Sequence, residues 1–231
     1  MDHVADVELD PPQGATGDCS ARSIESPELR HWSACMRELS LHILDAVQNS
    51  LEAGATLVAL VIDEDLPADQ LTITVRDNGR GMDEATLARV RDPFYTTRTT
   101  RKVGLGIPLF QAAAERCGGG LTIESQVGRG TTLQATFQHS HIDRAPLGDI
   151  TGSLLSIILG GTCDVHYVHR VRTGRQGDRA IGDQGGDDLR EFEFSTAELK
   201  AELGDVPLSH PAVREWLRQF IAEGEAALFT R

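Results

Sequence analysis

Asp45 and Asn49 stand four residues apart in Leu44-Asp45-Ala46-Val47-Gln48-Asn49-Ser50-Leu51, so a helix would project both from one side, a turn apart. A carboxylate and an amide oxygen so placed suit a Mg²⁺ that takes oxygen ligands and keeps several waters. The same pair also fits the polar edge of an ordinary amphipathic helix. Arg76-Asp77-Asn78-Gly79-Arg80-Gly81-Met82 directly follows the alternating run Leu71 to Val75. A carboxylate at a strand end can accept a hydrogen bond from an exocyclic amine such as that of adenine, and the glycines allow backbone to approach a flat base. A plain Asp-Asn-Gly turn is the alternative.

Two further segments add glycines where phosphate could sit. Gly104-Leu105-Gly106-Ile107-Pro108-Leu109 reads as the opening of a helix, whose free N–H groups and dipole favour an anion. Arg98, Arg101 and Lys102 bring positive charge near it. No Gly-Lys-Ser/Thr follows, so this is not a Walker A loop. Gly128-Arg129-Gly130-Thr131-Thr132 enters a strand, and its N–H groups and the Thr131 hydroxyl could line a nucleotide pocket or simply form a glycine hairpin.

The elements that must position these residues follow from periodicity. Leu39, Ile43, Ala46, Val47 and Leu51 make one helical stripe, and Gly54 is placed to end that helix. Thr56–Ile62 and Leu71–Val75 read as strands joined by a turn at residues 67–70. Asp83 is a candidate N-cap for a short helix to Arg91. Residues 93–103 are expected to be a mobile loop, residues 104–117 a helix, and residues 121–125 and 131–137 a second hairpin. Beyond them come a helix over residues 149–159 and paired strands over residues 165–171 and 191–194. A capping box at Ser195–Glu198 precedes a last amphipathic helix opened by Ser209 and Pro211. Residues 1–25, rich in Asp, Gly, Pro and Ser, are expected to be a disordered leader.

In order and spacing these segments resemble the Bergerat-fold ATPases, the superfamily of histidine kinases, gyrase and MutL-like proteins. Asn49 resembles the N box and Asp77 to Gly81 the first glycine box. Asp92-Pro93-Phe94 resembles the F box, Gly104-Leu105-Gly106 the second glycine box, and Gly128 to Thr131 the final glycine-threonine element. The resemblance implies an α+β fold: a Bergerat-type sandwich over residues 26–139, with helices on one face of a mixed sheet. A small α/β regulatory or partner-binding module is expected over residues 140–231. It further implies that Asn49 binds Mg²⁺, Asp77 reads adenine, and Gly79 and Gly81 pack beside the base. Gly104, Leu105 and Gly106 would seat phosphates, with Phe94, Arg98, Lys102 and Thr131 completing the ATP site and residues 94–103 closing as a lid.

The branch of the superfamily is a separate question. In hydrolysing members a glutamate stands four residues before the Mg²⁺ asparagine. Here Asp45 stands there, a possible general base shorter by one methylene. Ser140-His141-Ile142-Asp143-Arg144-Ala145-Pro146-Leu147 shares the lettering of a phospho-acceptor box, which makes His141 a candidate acceptor, although it follows the ATP segment. His42 is expected to be a face residue beside the nucleotide site. The chain also resembles stand-alone histidine-kinase-like proteins that accompany iron hydrogenases. That likeness implies redox-linked, nucleotide-gated regulation with a redox enzyme or regulator as protein partner, and a homodimer is also possible. The alternatives are a histidine or serine protein kinase and, third, a MutL-type ATPase.

Bulk properties narrow the partners. The net charge is −13, from 35 acidic and 22 basic residues, which argues against non-specific nucleic-acid binding. Cys19, Cys35, Cys117 and Cys163 are scattered without metal-ligand spacing. Met1-Asp2-His3 opens no signal peptide, and no apolar run is long enough for a membrane span, so the expected location is cytoplasmic.

Overall fold

The computed structural model describes residues 38–90, 106–160, 163–174 and 188–230. Among them the elements run α1 (Leu39–Glu52), β1 (Leu57–Asp65), β2 (Gln70–Asp77), α2 (Glu84–Arg89), α3 (Gly106–Arg116), β3 (Gly120–Gln126), β4 (Gly130–Gln138), α4 (Ile150–Leu159), β5 (Asp164–Thr173), β6 (Asp188–Ser195), α5 (Thr196–Leu203) and α6 (Pro211–Phe229). The expected leader over residues 1–25, the F box with Phe94, and Arg98, Arg101, Lys102, Gly104 and Leu105 lie outside the described residues.

Six strands form one sheet in the order β3-β4-β2-β1-β5-β6. Its pairings are antiparallel except β1 with β5, which are parallel from Leu57 opposite Asp164 to Asp65 opposite Arg172. Period-two alternation gives the sheet one covered face. Val58, Leu60 and Ile62, Leu71, Ile73 and Val75, Leu133, Ala135 and Phe137, and Val165, Tyr167 and Val171 are all buried there. The alternate positions Thr72, Thr74, Arg76, Thr132, Gln134 and Thr136 are half-buried or exposed. Helices α1, α3, α4 and α6 pack on one another and on the sheet, so the sandwich is α+β with helices on one face.

The expected division at residue 140 does not divide the sheet. Residues 164–195 supply β5 and β6, and β5 joins β1 directly, so the C-terminal strands extend the same sheet instead of forming a separate module. The apolar alternation of β5 was legible, but its partner was not, because register with a distant strand leaves no local trace.

The segment between β4 and α4 ties these parts together. Leu39 and Ser40, whose N–H groups open α1, donate to the Pro146 and Leu147 carbonyls at 2.9 Å each. These bonds cap α1 where Glu38, its N-cap residue, makes no side-chain cap bond. At the other end of α1, Gly54 takes φ +76° and its N–H bonds the Leu51 carbonyl, the C-terminal stop expected there. Asp83 caps α2 as expected, accepting from the Thr86 N–H at 2.7 Å. Two expected caps differ. Ser195 makes no side-chain cap bond, and α6 is capped by His210, not Ser209, with its ring accepting from the Ala212 N–H.

Candidate nucleotide site

Asp77 ends β2 and is buried, with its carboxylate held by three hydrogen bonds. Its Oδ1 accepts from the Gly79 N–H at 2.8 Å and from the Thr131 N–H at 3.2 Å, while Oδ2 accepts from the Ser50 hydroxyl at 2.9 Å. Three elements therefore fix one carboxylate: α1 through Ser50, the turn after β2 through Gly79, and β4 through Thr131. Register explains the last, since Asp77 lies directly opposite Thr131 in the β2–β4 ladder. These donors orient the carboxylate and leave a lone pair on Oδ2 for a donor on a ligand.

The glycines around it are sterically required. A Cβ on Gly79 would lie 2.9 Å from the Ala53 Cβ, too close for two carbons. Gly81 takes φ +65°, and a Cβ there would collide with the Gln126 carbonyl. Gly130 takes φ +95°, and a Cβ there would collide with the Asp77 carbonyl. The two glycine motifs are thus packed into each other, which no local reading of either could reveal. Asn78 secures the same corner from outside the pocket. Its Oδ1 accepts from the Thr56 and Leu57 N–H groups at 2.8 and 3.0 Å, and its Nδ2 donates to the Thr56 hydroxyl.

Along α1 the half-buried Asn49 and Asp45 follow on the side that leads from Ser50 toward α3. Asp45 reaches the start of α3: a Cβ on Gly106 would lie 3.3 Å from the Asp45 Cβ and 3.4 Å from its Oδ2. The sequence-expected residues Asp45, Asn49, Asp77, Gly79, Gly81, Gly106 and Thr131 are therefore gathered along one wall formed by α1, the end of β2, the start of β4 and the start of α3. That wall offers a carboxylate for an exocyclic amine, two side-chain oxygens for a hard cation, and a helix N-terminus for phosphate. The donor set and the cradle that a single Cβ would fill fit a purine nucleotide with Mg²⁺.

Two contributors were missed in the sequence. Ser50 looked like a helix residue beside Asn49, and only the fold brings its hydroxyl to Asp77. Ser125 accepts from the Met82 N–H at 2.8 Å and lies 2.9 Å from the Thr131 hydroxyl, tying the two glycine motifs together. His42 does lie on α1, but it is buried and stacked on Phe110 at 5.0 Å between ring centroids, and its Nδ1 has no hydrogen-bond partner. Burial, with some help from Arg116, lowers its pKa to about 4, so it stays neutral. His42 is thus a packing residue between α1 and α3. His141 lies beyond β4, its Nδ1 accepting from the Asp143 N–H at 3.1 Å. Thr131 and Gln138 are at opposite ends of β4, and at about 3.4 Å per residue His141 lies on the order of 25 Å from Asp77.

Comparison with known proteins bears on this geometry. A sequence profile described as histidine kinase-, DNA gyrase B-, and HSP90-like ATPase matches residues 36–141, the span that carries every residue of the wall. This segment is a histidine-kinase-like ATPase domain. The chain is 42% identical over 108 residues to the sensor protein kinase FleS of Pseudomonas aeruginosa, covering 47% of this chain and 26% of that one. It is 30% identical over 100 residues to sporulation kinase C of Bacillus subtilis, covering 43% of this chain and 23% of that one. The chain thus spans about a quarter of the length of these relatives. Among solved structures, the catalytic domain of histidine kinase ThkA superposes loosely, with a TM-score of 0.37 and 20% identity over 45% of this chain and 68% of that one. No helix among the described residues is long and apolar enough to cross a membrane.

Proposed function

We propose that the chain is a nucleotide-gated regulator that binds Mg-ATP through its histidine-kinase-like ATPase domain. The supporting observation is the Asp77 carboxylate, held by Ser50, Gly79 and Thr131 and left able to accept one more donor. In this reading Asp77 accepts from the adenine amine, and the bare backbone of Gly79 and Gly81 lies beside the base. Asn49 would hold the Mg²⁺, which neutralises phosphate charge when bound. Asp45 beside Gly106 borders the phosphate end. Thr131, Gly104, Leu105, Phe94, Arg98 and Lys102 would complete the site, and binding would change how the domain meets a protein partner. Free ATP and Mg²⁺ make the cytoplasm its natural setting. No feature of the site singles out a redox partner.

A second reading is supported by the sensor kinases among the relatives, namely transfer of the γ-phosphoryl group to a histidine or serine. Incubation of the full chain with γ-³²P-ATP and Mg²⁺, beside Asn49→Ala and His141→Ala, separates the readings. ATP binding that depends on Asn49, with no label on the chain, supports the gated regulator. Acid-labile label lost in both variants overturns it in favour of a histidine autokinase.

A further inference from the structure

The covered face of the sheet holds one ionic cluster at the end remote from Asp77. His169 on β5 is fully buried, yet both its ring nitrogens meet carboxylates. Nδ1 lies 2.9 Å from Glu225 Oε2 on α6, and Nε2 lies 3.1 Å from Glu64 Oε1 on β1. A neutral imidazole has one N–H and would leave one of these carboxylates facing a lone pair. Two carboxylate acceptors require two donors, so the ring is an imidazolium.

Every neighbouring element contributes to the cluster. The Tyr167 hydroxyl, also on β5, donates to Glu225 Oε1 at 2.8 Å. His139, just past β4, places Nε2 2.6 Å from Glu64 Oε2. From the end of α6 the Phe229 ring meets His169 edge-on, with centroids 6.1 Å apart. Glu225 is thus a half-buried charged contact of α6 with the sheet, apart from the Arg190 guanidinium of β6, which donates to the Leu228 carbonyl near the end of the helix. We infer that the Glu64–His169–Glu225 cluster is a proton-held latch: docked α6 binds one proton more than undocked α6, so docking weakens as the pH rises above neutral.

Electrostatics agree with the geometry. Burial opposes the charge on His169, but the hydrogen bonds to Glu225 and Glu64, with their charges, outweigh it and push its pKa up to about 9. In the same cluster the bonds from His169 and His139 outweigh burial and hold Glu64 below its ordinary value. Undocking α6 removes Glu225 but leaves Glu64 beside the ring, so the pKa of His169 falls from about 9 toward the 6.5 of an exposed histidine. Between the undocked and docked values, undocking α6 sets free a proton that the docked state keeps. The opening equilibrium must then rise roughly tenfold per pH unit in that window, with its balance set by Glu225. This inference stands apart from nucleotide binding, because none of the residues along the nucleotide wall belongs to the cluster.

The test is amide hydrogen exchange of the full chain between pH 6.5 and 9, corrected for intrinsic exchange, comparing α6 with α1. The latch predicts that opening of α6 rises roughly tenfold per pH unit while α1 stays flatter, and that Glu225→Gln moves the end of the rise toward lower pH. An opening of α6 that is independent of pH would overturn it. Should Glu225→Gln fail to fold, an NMR titration of the His169 ring in the unmodified chain decides alone. A midpoint near 9 supports the latch, and one near 6.5 overturns it.

Discussion

The Ser50 hydroxyl donates to the Asp77 carboxylate at 2.9 Å across 27 residues of sequence, and so couples the first helix of the ATPase domain to the end of β2. The same hydroxyl also lies 3.3 Å from the Ala46 carbonyl within its own helix. The carboxylate therefore meets α1 through a residue directly beside Asn49, the side chain proposed to hold Mg²⁺.

Replacing Ser50 with alanine removes one donor from a buried carboxylate without adding bulk. A hydrogen bond to a charged group contributes about 1.5–3 kcal/mol, and the two backbone donors on Oδ1 remain. ATP affinity measured by calorimetry should fall roughly tenfold, with the fold intact by circular dichroism. Unchanged affinity would mean that Ser50 does not help to orient Asp77.

Gly81→Ala tests the interlock of the glycine motifs. The residue sits at φ +65°, and the added methyl would meet the Gln126 carbonyl, which is backbone and cannot swing away. The left-handed conformation costs a non-glycine residue about 1 kcal/mol, and the collision adds to it. Thermal unfolding should begin at least ~5 °C lower. Gly128→Ala, which also has a positive φ but open space around its Cβ, should lose only the conformational part.

Alkaline stability should report the buried imidazolium. The folded pKa of His169, about 9, lies above the unfolded value near 6.5, so folding binds a proton between them. Its contribution is fully present below 6.5 and is lost as pH rises through about 9. Unfolding free energies from denaturant titrations between pH 6.5 and 9.5 should decline by an amount on the order of 3 kcal/mol in the unmodified chain. In His169→Gln the decline should be much shallower, and parallel curves would contradict the assignment.

Much of the nucleotide wall was legible because its residues carry local signatures. Asp45 and Asn49 share a helix side, Asp77 closes an alternating strand, and glycines follow it. What stayed hidden depends on partners far along the chain. Ser50 matters only because α1 lies over the end of β2, and Gly130 must be glycine only because β4 runs beside Asp77. Residues 165–171 and 191–194 have strand patterns of their own, yet nothing in them announces that β5 lies parallel to β1 and extends the same sheet. The carboxylates that define His169 come from β1 and α6, so no spacing could link them. His42 is the converse case: its helical position marks it only as a face residue near the site, and packing against Phe110 buries it.

A purine-nucleotide site built on Asp77 is checked most directly by calorimetric titration of the full chain with Mg-ATP and Mg-GTP, beside Asp77→Asn. One saturable ATP site is expected, with weaker GTP binding because guanine presents a carbonyl where adenine presents an amine, and at least a roughly tenfold loss of ATP affinity in the variant. Equal affinity for ATP in both proteins, or no ATP binding by the unmodified chain, would contradict it.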